Sequence, residues 1–370
     1  MSAPKLLADG HQFLLGLFSS NNDGGLAMTG VPERWSATWA NNRALARMID
    51  DAGLDFTLPV ARWKGWDGPT AFHRESLETI TWATGTAACT SNLHVIATVH
   101  APLIHPIVAA KQLATASQLA EGRLGLNVVC GWNQREFDMF GQEQHEHDER
   151  YDYGQEWLDI VRLLWSSEEP TDHEGRHFSL RGLIGRPAPY GGDQPLVMNA
   201  GYSPAGRAFA VRNCECLLTS LTDLERGRSD VQDIRRQSPR DIGIIATGYI
   251  VCRPTTREAQ EYHRHYVHDH GDWEAAEQVM EVQGLHARSF PPEHFRMFRD
   301  RFVGGHGTYP IVGDPDDVAD ELERIAGCGF DGLAFGLVNY LDEFPYLRDE
   351  LLPRLEAKGL RRPAGVQATG

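Results

Sequence analysis

The chain has 370 residues, and its 51 acidic side chains outnumber 35 basic ones for a formal charge of −16. That surplus argues against a nucleic-acid binder, which needs a basic footprint to displace counterions, and against docking on an anionic membrane. Apolar residues make up 41%, while 37 Gly and 20 Pro stay well below the roughly 25–30% that marks disordered chains, so one large globular domain is expected.

The start, MSAPKLLADGHQFLLG, has no basic region leading into a long apolar run, so no signal peptide is expected. No apolar stretch approaches membrane-spanning length. The six cysteines (Cys89, Cys130, Cys214, Cys216, Cys252, Cys328) form no C-x-x-C pair, which removes the zinc-ribbon and thioredoxin readings. A reducing cytoplasm is the expected compartment.

In chain order, eight apolar runs read as buried strands: 13–19, 54–60, 93–99, 124–130, 195–201, 214–220, 242–252 and 330–338. They are continuous rather than alternating, as strands covered on both faces should be. Between them lie helical patterns near 37–53, 76–90, 106–121, 149–166, 203–212, 256–284, 315–328 and 342–358, with Gly53 and Gly329 placed as helix-ending glycines. Strict alternation implies a parallel sheet. Eight strands without a G-x-G-x-x-G after the first favour a (β/α)8 TIM barrel with insertions over an open doubly wound sheet. Residues 1–370 are expected to form one domain, with an insertion or lid near 253–312 and a loose tail at 361–370. Gly304, Gly305 and Gly307 suggest a mobile loop in that lid.

In a barrel, chemistry sits at the C-terminal strand ends. Those ends offer Arg62 and Lys64, Thr98 and His100, Asn127 with Gly131-Trp132, the stretch Asn199 to Ser203, and Asn339. Asn127 is a polar amide inside an apolar run; it is either satisfied by backbone in the core or faces the barrel mouth. Thr98 alone carries little, since threonine is common in strands. In AGYSPAG (200–206), Gly201 allows close backbone approach and Ser203 can cap the following helix, whose N-terminus suits an anion.

Two His-rich stretches invite a metal reading. HEHDERYDY (145–153) fits no zinc spacing and reads better as an acidic first turn of a helix, with Arg150 and Tyr151 as anion and hydroxyl contacts. HRHYVHDHGDW (263–273) does not bring its histidines to one tight face, so a solvated helix face is expected. No metal site is expected.

These residues together resemble the bacterial luciferase-like family of flavin monooxygenases, over about 13–360. The likeness is most specific in PIVAAKQLATASQLAEGRLGLNVVCGW (106–132), HDERYDYGQEWLDIVRLLW (147–165) and GRHFSL (175–180), and N-V-V-C-G-W is closest to the branch that opens pyrimidine rings and oxidises dimethyl sulfone and halobenzenes. The resemblance implies the barrel, reduced FMN (FMNH2) as a dissociable substrate, O2 as co-substrate, a separate NAD(P)H-dependent flavin reductase, and a homo-oligomer, dimer or tetramer. It implies O2 held near flavin N5 by Thr98 and Asn127, giving an N5-peroxide. It places Ala61, Arg62, Asn127, Glu136, Arg150, Tyr151, Gly201 and Ser203 against the flavin. Arg62 stands where the family has Lys, keeping charge but not geometry. Trp63, Trp66 and Trp132 are candidate substrate walls, with plain packing as the other reading. The implied substrate is a small N-heterocycle amide, organosulfur compound or haloaromatic. Two rival functions are a deazaflavin-dependent hydride-transfer oxidoreductase and a non-catalytic flavin-binding protein.

Overall fold

The computed structural model describes residues 5–8, 13–144, 146–285 and 292–363. The barrel strands are β1 (Leu14–Phe18), β2 (Phe56–Leu58), β3 (His94–His100) and β4 (Leu124–Val129). A hairpin of β5 (Thr171–Glu174) and β6 (Ser179–Leu183) interrupts them. The series resumes with β7 (Leu196–Ala200), β8 (Cys216–Ser220) and β9 (Gly243–Cys252); β10 (Tyr309–Gly313) is extra, and β11 (Gly332–Gly336) closes the ring. Parallel pairing runs β11-β1-β2-β3-β4-β7-β8, and β9 joins β8 to β11, so eight parallel strands close into a barrel. All eight predicted runs become those eight strands.

Side-chain alternation along each strand sorts the core into layers. Leu14, Phe56, Ile96, Leu196, Met198, Leu218 and Ile245 fill the barrel axis. Their neighbours, such as Leu15, Leu17, Val95, Ala97, Leu126 and Val197, face the helical ring. Gly16 has no room for a side chain, because a Cβ there would lie 2.3 Å from the Phe56 ring. The same alternation carries Thr98 inward one step after Ile96, and Asn127 inward one step after Gly125.

Above the mouth sits a third cluster, built by Trp66, Phe72, Tyr249, Tyr266, Val279 and Phe302 among others. It joins the segments after β1 and β2 to the insertion after β9, which contains the helices Thr256–Arg264, Trp273–Val282 and Pro292–Gly305. The predicted single helix over 256–284 is broken by a π turn at His265–Asp269 and a fresh N-cap at Asp272. β9 is long enough to pair β8 at 243–247 and β10 at 248–252 along one edge. The roof is therefore hydrogen-bonded into the barrel wall.

Several expectations need correction. Gly304 and Gly305 end a helix, and their Cβ positions would lie 2.6 and 2.1 Å from Tyr249, so they are close-packing glycines and not a mobile loop. The tail is not loose at its start: Arg361 donates to the Ala52 and Gly53 carbonyls. Residues 364–370, His145 and 286–291 of the lid lie outside the described residues. The helix Leu224–Gln237 has no counterpart among the predicted elements. Gly53 and Gly329 do end helices with positive φ, at 70° and 97°.

Candidate active site

Thr98 and Asn127 are register partners on β3 and β4. Asn127 Nδ2 donates to Thr98 Oγ1 at 3.2 Å, and Thr98 Oγ1 donates onward to the Pro59 carbonyl at 2.6 Å. Both side chains are buried, and Asn127 Oδ1 has no partner. The adjacent strand contributes Asn199, whose Nδ2 donates to the Val128 carbonyl at 2.6 Å and whose Oδ1 is also orphaned. Buried polar atoms normally find partners, so the orphans mark a place built for something else.

A charged cluster stands beside this pair. Arg62 Nη1 meets Glu136 Oε1 at 3.2 Å with both side chains 1% exposed. Trp63 N donates to the same oxygen at 3.0 Å, and His100 Nδ1 faces Glu136 Oε2 at 3.2 Å. Burial disfavours the Glu136 charge, but the His100 hydrogen bond, Arg62 and the Trp63 amide outweigh it and hold the carboxyl down to about 2. The Arg62 guanidinium lies 5.3 Å from the ring centres of both Trp66 and Trp132, which stack 6.3 Å apart at 26°. Trp63 sits on the outer lip, edge-on to Phe140 at 5.2 Å. Beyond it opens a cleft of about 540 Å³ lined by Lys64, Arg74, Arg135 and Met139 among others.

Across the mouth, Ser203 caps the helix Pro204–Asn213 by accepting from Gly206 N at 3.1 Å. Tyr151 Oη lies 3.3 Å from Ser203 Oγ, and Arg150 Nη1 donates to the Gly131 carbonyl at 2.9 Å. The turn is tight: a Cβ on Gly201 would lie 2.6 Å from Gly206 C, and one on Gly206 would lie 2.7 Å from Tyr151 Oη. Free amides at a helix N-terminus, a hydroxyl and a guanidinium make an anion cradle.

The sequence-predicted residues therefore form three groups: Thr98 with Asn127; Ala61, Arg62, Glu136, Trp66 and Trp132; and Arg150, Tyr151, Gly201 and Ser203. Asn339 plays the plainer part, capping the helix Tyr340–Tyr346. His263 is not on a solvated face: its Nε2 bonds Tyr249 Oη at 2.9 Å, and burial lowers its pKa to about 4. Among the described residues no three His, Cys, Asp or Glu side chains converge as a metal site, and no helix is long and apolar enough to cross a membrane. Two histidines were missed, His73 and His306. His73 is buried and His306 partly so, both near Arg62 with left-handed backbone at φ 58° and 55°, a conformation that no residue pattern announces.

With this geometry in place, comparison with known proteins is decisive at the family level. The model of the luciferase-like monooxygenase family matches residues 14–332. The chain belongs to that family. Relatives include the FMNH2-dependent dimethylsulfone monooxygenase of Pseudomonas fluorescens, 28% identical over 91% of this chain and 94% of that protein. Pyrimidine monooxygenase RutA of Klebsiella pneumoniae is 26% identical, with the same coverage of 91% and 94%. Among solved structures, riboflavin lyase RcaE aligns with a TM-score of 0.84 at 23% identity, covering 95% of this chain and 93% of that one. DmoA from Hyphomicrobium sulfonivorans aligns at 0.83 and 20%, covering 95% and 89%. These two likenesses concern the fold.

Proposed function

We propose that this family member is an FMNH2-dependent, O2-consuming monooxygenase of a small organic molecule, served by a separate NAD(P)H-dependent flavin reductase in a reducing cytoplasm. The observation that carries the reading is the Thr98–Asn127 pair. It is an inward-facing polar dyad at two adjacent strand ends, with a buried carboxamide oxygen left without a partner.

The residues fit the cofactor. Ser203, Tyr151, Arg150 and the Pro204–Asn213 helix start would hold the FMN phosphate, and the glycines at 201 and 206 let backbone approach it. Ala61, Asn127 and Asn199 would border the ring system. Glu136 Oε1 holds Arg62 and the 62–64 backbone in place, while Oε2, 3.2 Å from His100 Nδ1, accepts no well-aligned hydrogen bond and is left to meet the cofactor. When bound, reduced FMN supplies the two electrons that convert O2 into one inserted oxygen and water.

The chain's own groups then do three things. Thr98 fixes the Asn127 amide, whose second N–H is left to hold O2 and to meet negative charge growing on it; neither group titrates, so that donor is present at every working pH. Trp66 and Trp132 exclude water and wall the substrate. The cyclic-amide, sulfone and haloarene classes are the candidate substrates.

Asn127→Ala should lose oxygenation by roughly 10²–10³-fold while the fold survives. Oxygen incorporation from labelled O2 with FMN and a reductase measures it. Full activity in that variant removes Asn127 from the chemistry, and failure of the native chain to bind reduced FMN sinks the proposal. Anaerobic turnover would instead favour hydride transfer.

A further inference from the structure

Four buried polar atoms without partners gather on the roof side of the mouth: Arg62 Nε, Trp66 Nε1, His73 Nδ1 and His306 Nε2. The first two are donors. The third is an acceptor for a structural reason, and the fourth can serve as one. His73 Nε2 lies 2.6 Å from the Gly25 carbonyl, which can only accept, so that nitrogen carries the ring proton and Nδ1 is a bare lone pair. His306 Nε2 has no partner and its tautomer is unconstrained by any neighbour, so it is free to turn a lone pair toward a donor. Burial and the Arg62 charge keep both rings neutral.

The two imidazoles are parallel, 5.9 Å apart at 11°, and His73 also stacks on Phe72 at 3.7 Å. Both residues hold a left-handed backbone that a histidine rarely adopts. Strained backbone and unmet hydrogen bonds cluster where a ligand is to be met. Nothing in the packing of the roof uses these four atoms. They present flat walls, two donors, one fixed acceptor at His73 and one nitrogen at His306 able to accept.

We propose that His73 and His306, together with Arg62 and Trp66, are the specificity residues of the mouth and select a flat ring carrying an N–H or O–H donor beside an oxygen acceptor. A cyclic amide, with N–H next to C=O, meets both kinds of orphan; a hydroxyarene shares that chemistry. A sulfone offers acceptors only and a simple haloarene neither, so both leave the bare imidazoles unmet, the situation that gives a polar site its strongest discrimination. The inference rests on the monooxygenase reading in taking this mouth as the substrate site.

The test is equilibrium binding to the FMN-loaded protein by calorimetry, using matched probes. 2-Pyridone is compared with 1-methyl-2-pyridone, phenol with anisole, and dimethyl sulfone and chlorobenzene serve as donor-free probes. The expected result is a preference of about tenfold or more for 2-pyridone over its N-methyl form. A matching preference for phenol over anisole assigns the natural donor to O–H, and its absence assigns it to N–H; either supports the proposal when the pyridone preference is present. His73→Asn and His306→Asn keep the left-handed backbone accessible and should each erase the preference. Reduced-FMN affinity, followed by flavin absorbance in an anaerobic cell, should stay unchanged in both. Equal binding within the pyridone pair, no binding by either donor-bearing probe, or an undiminished preference in both variants overturns the assignment. Loss of flavin binding in the native chain breaks the monooxygenase reading instead, so the two failures are distinguishable.

Discussion

On the β2–β4 flank of the mouth, the Arg62 guanidinium meets Glu136, and Glu136 also takes the Trp63 amide and faces His100. On the β7 flank, the Arg150 guanidinium meets the Gly131 carbonyl, and among the described residues no carboxylate pairs with it. One flank closes its charge balance inside the protein; the other leaves positive potential for an anion from outside. The difference teaches how a chain of charge −16 can admit a phosphate. On the proposed reading the attraction is local, from a helix start, two hydroxyls and one cation, while the overall field contributes nothing favourable. The closed flank serves as framework, because a buried pair is rigid only while both partners remain.

The sharpest way to break this contrast is Glu136→Gln. Removing the counter-charge of a fully buried guanidinium should cost about 3–5 kcal/mol of stability, read from urea unfolding. A loss below about 1 kcal/mol would show that Arg62 is solvated after all.

Acid should separate the flanks next. His73 and His306 have folded pKa values below the usual 6.5, the latter at about 3, so the unfolded chain binds protons that the folded chain does not. Stability is then lost as pH falls below 6.5, by about 2 kcal/mol for the His306 ring at pH 5, with His73 adding to the loss in the same direction. Glu136 shifts in the same direction, in a lower window: its stabilisation is full above 4.5 and disappears as pH falls through about 2. Unfolding at pH 7, 6 and 5 measures the first effect, and a flat profile there would contradict neutral burial.

The open flank gives the smallest stability effects. Ser203→Ala should cost about 1 kcal/mol as a lost cap. Its affinity for FMN should fall by about tenfold, since a hydroxyl to a phosphate is lost. Gly206→Ala should weaken FMN at least as much, because its methyl would press on Tyr151 Oη at 2.7 Å. If FMN affinity ignores both changes, the cradle does not hold the phosphate.

The barrel was legible because its eight strands are buried on both faces and so stand out as apolar runs. Asn127 was legible as a polar break in such a run, and Ser203 as a cap. The Arg62–Glu136 pair was not, since its partners are 74 residues apart and only the closed barrel brings them together. The helix Leu224–Gln237 was missed because Val231 and Ile234 are its only large buried residues in a highly charged stretch. β10 was missed because YPIVG is five residues long with an internal proline. His73 and His306 are set by backbone conformation and a roof fold, neither of which leaves a periodic trace.

The long strand β9 carries one more consequence. Its residues 243–247 bond to β8 and 248–252 to β10, so a single uninterrupted ribbon belongs to both wall and roof. Amide protons at 248–252 should then exchange with deuterium as slowly as those at 243–247, because roof and wall unzip as one cooperative unit. The cleft lined by Trp63 and Met139 lies outside the β8–β9–β10 ladder, so opening it would break none of these strand hydrogen bonds.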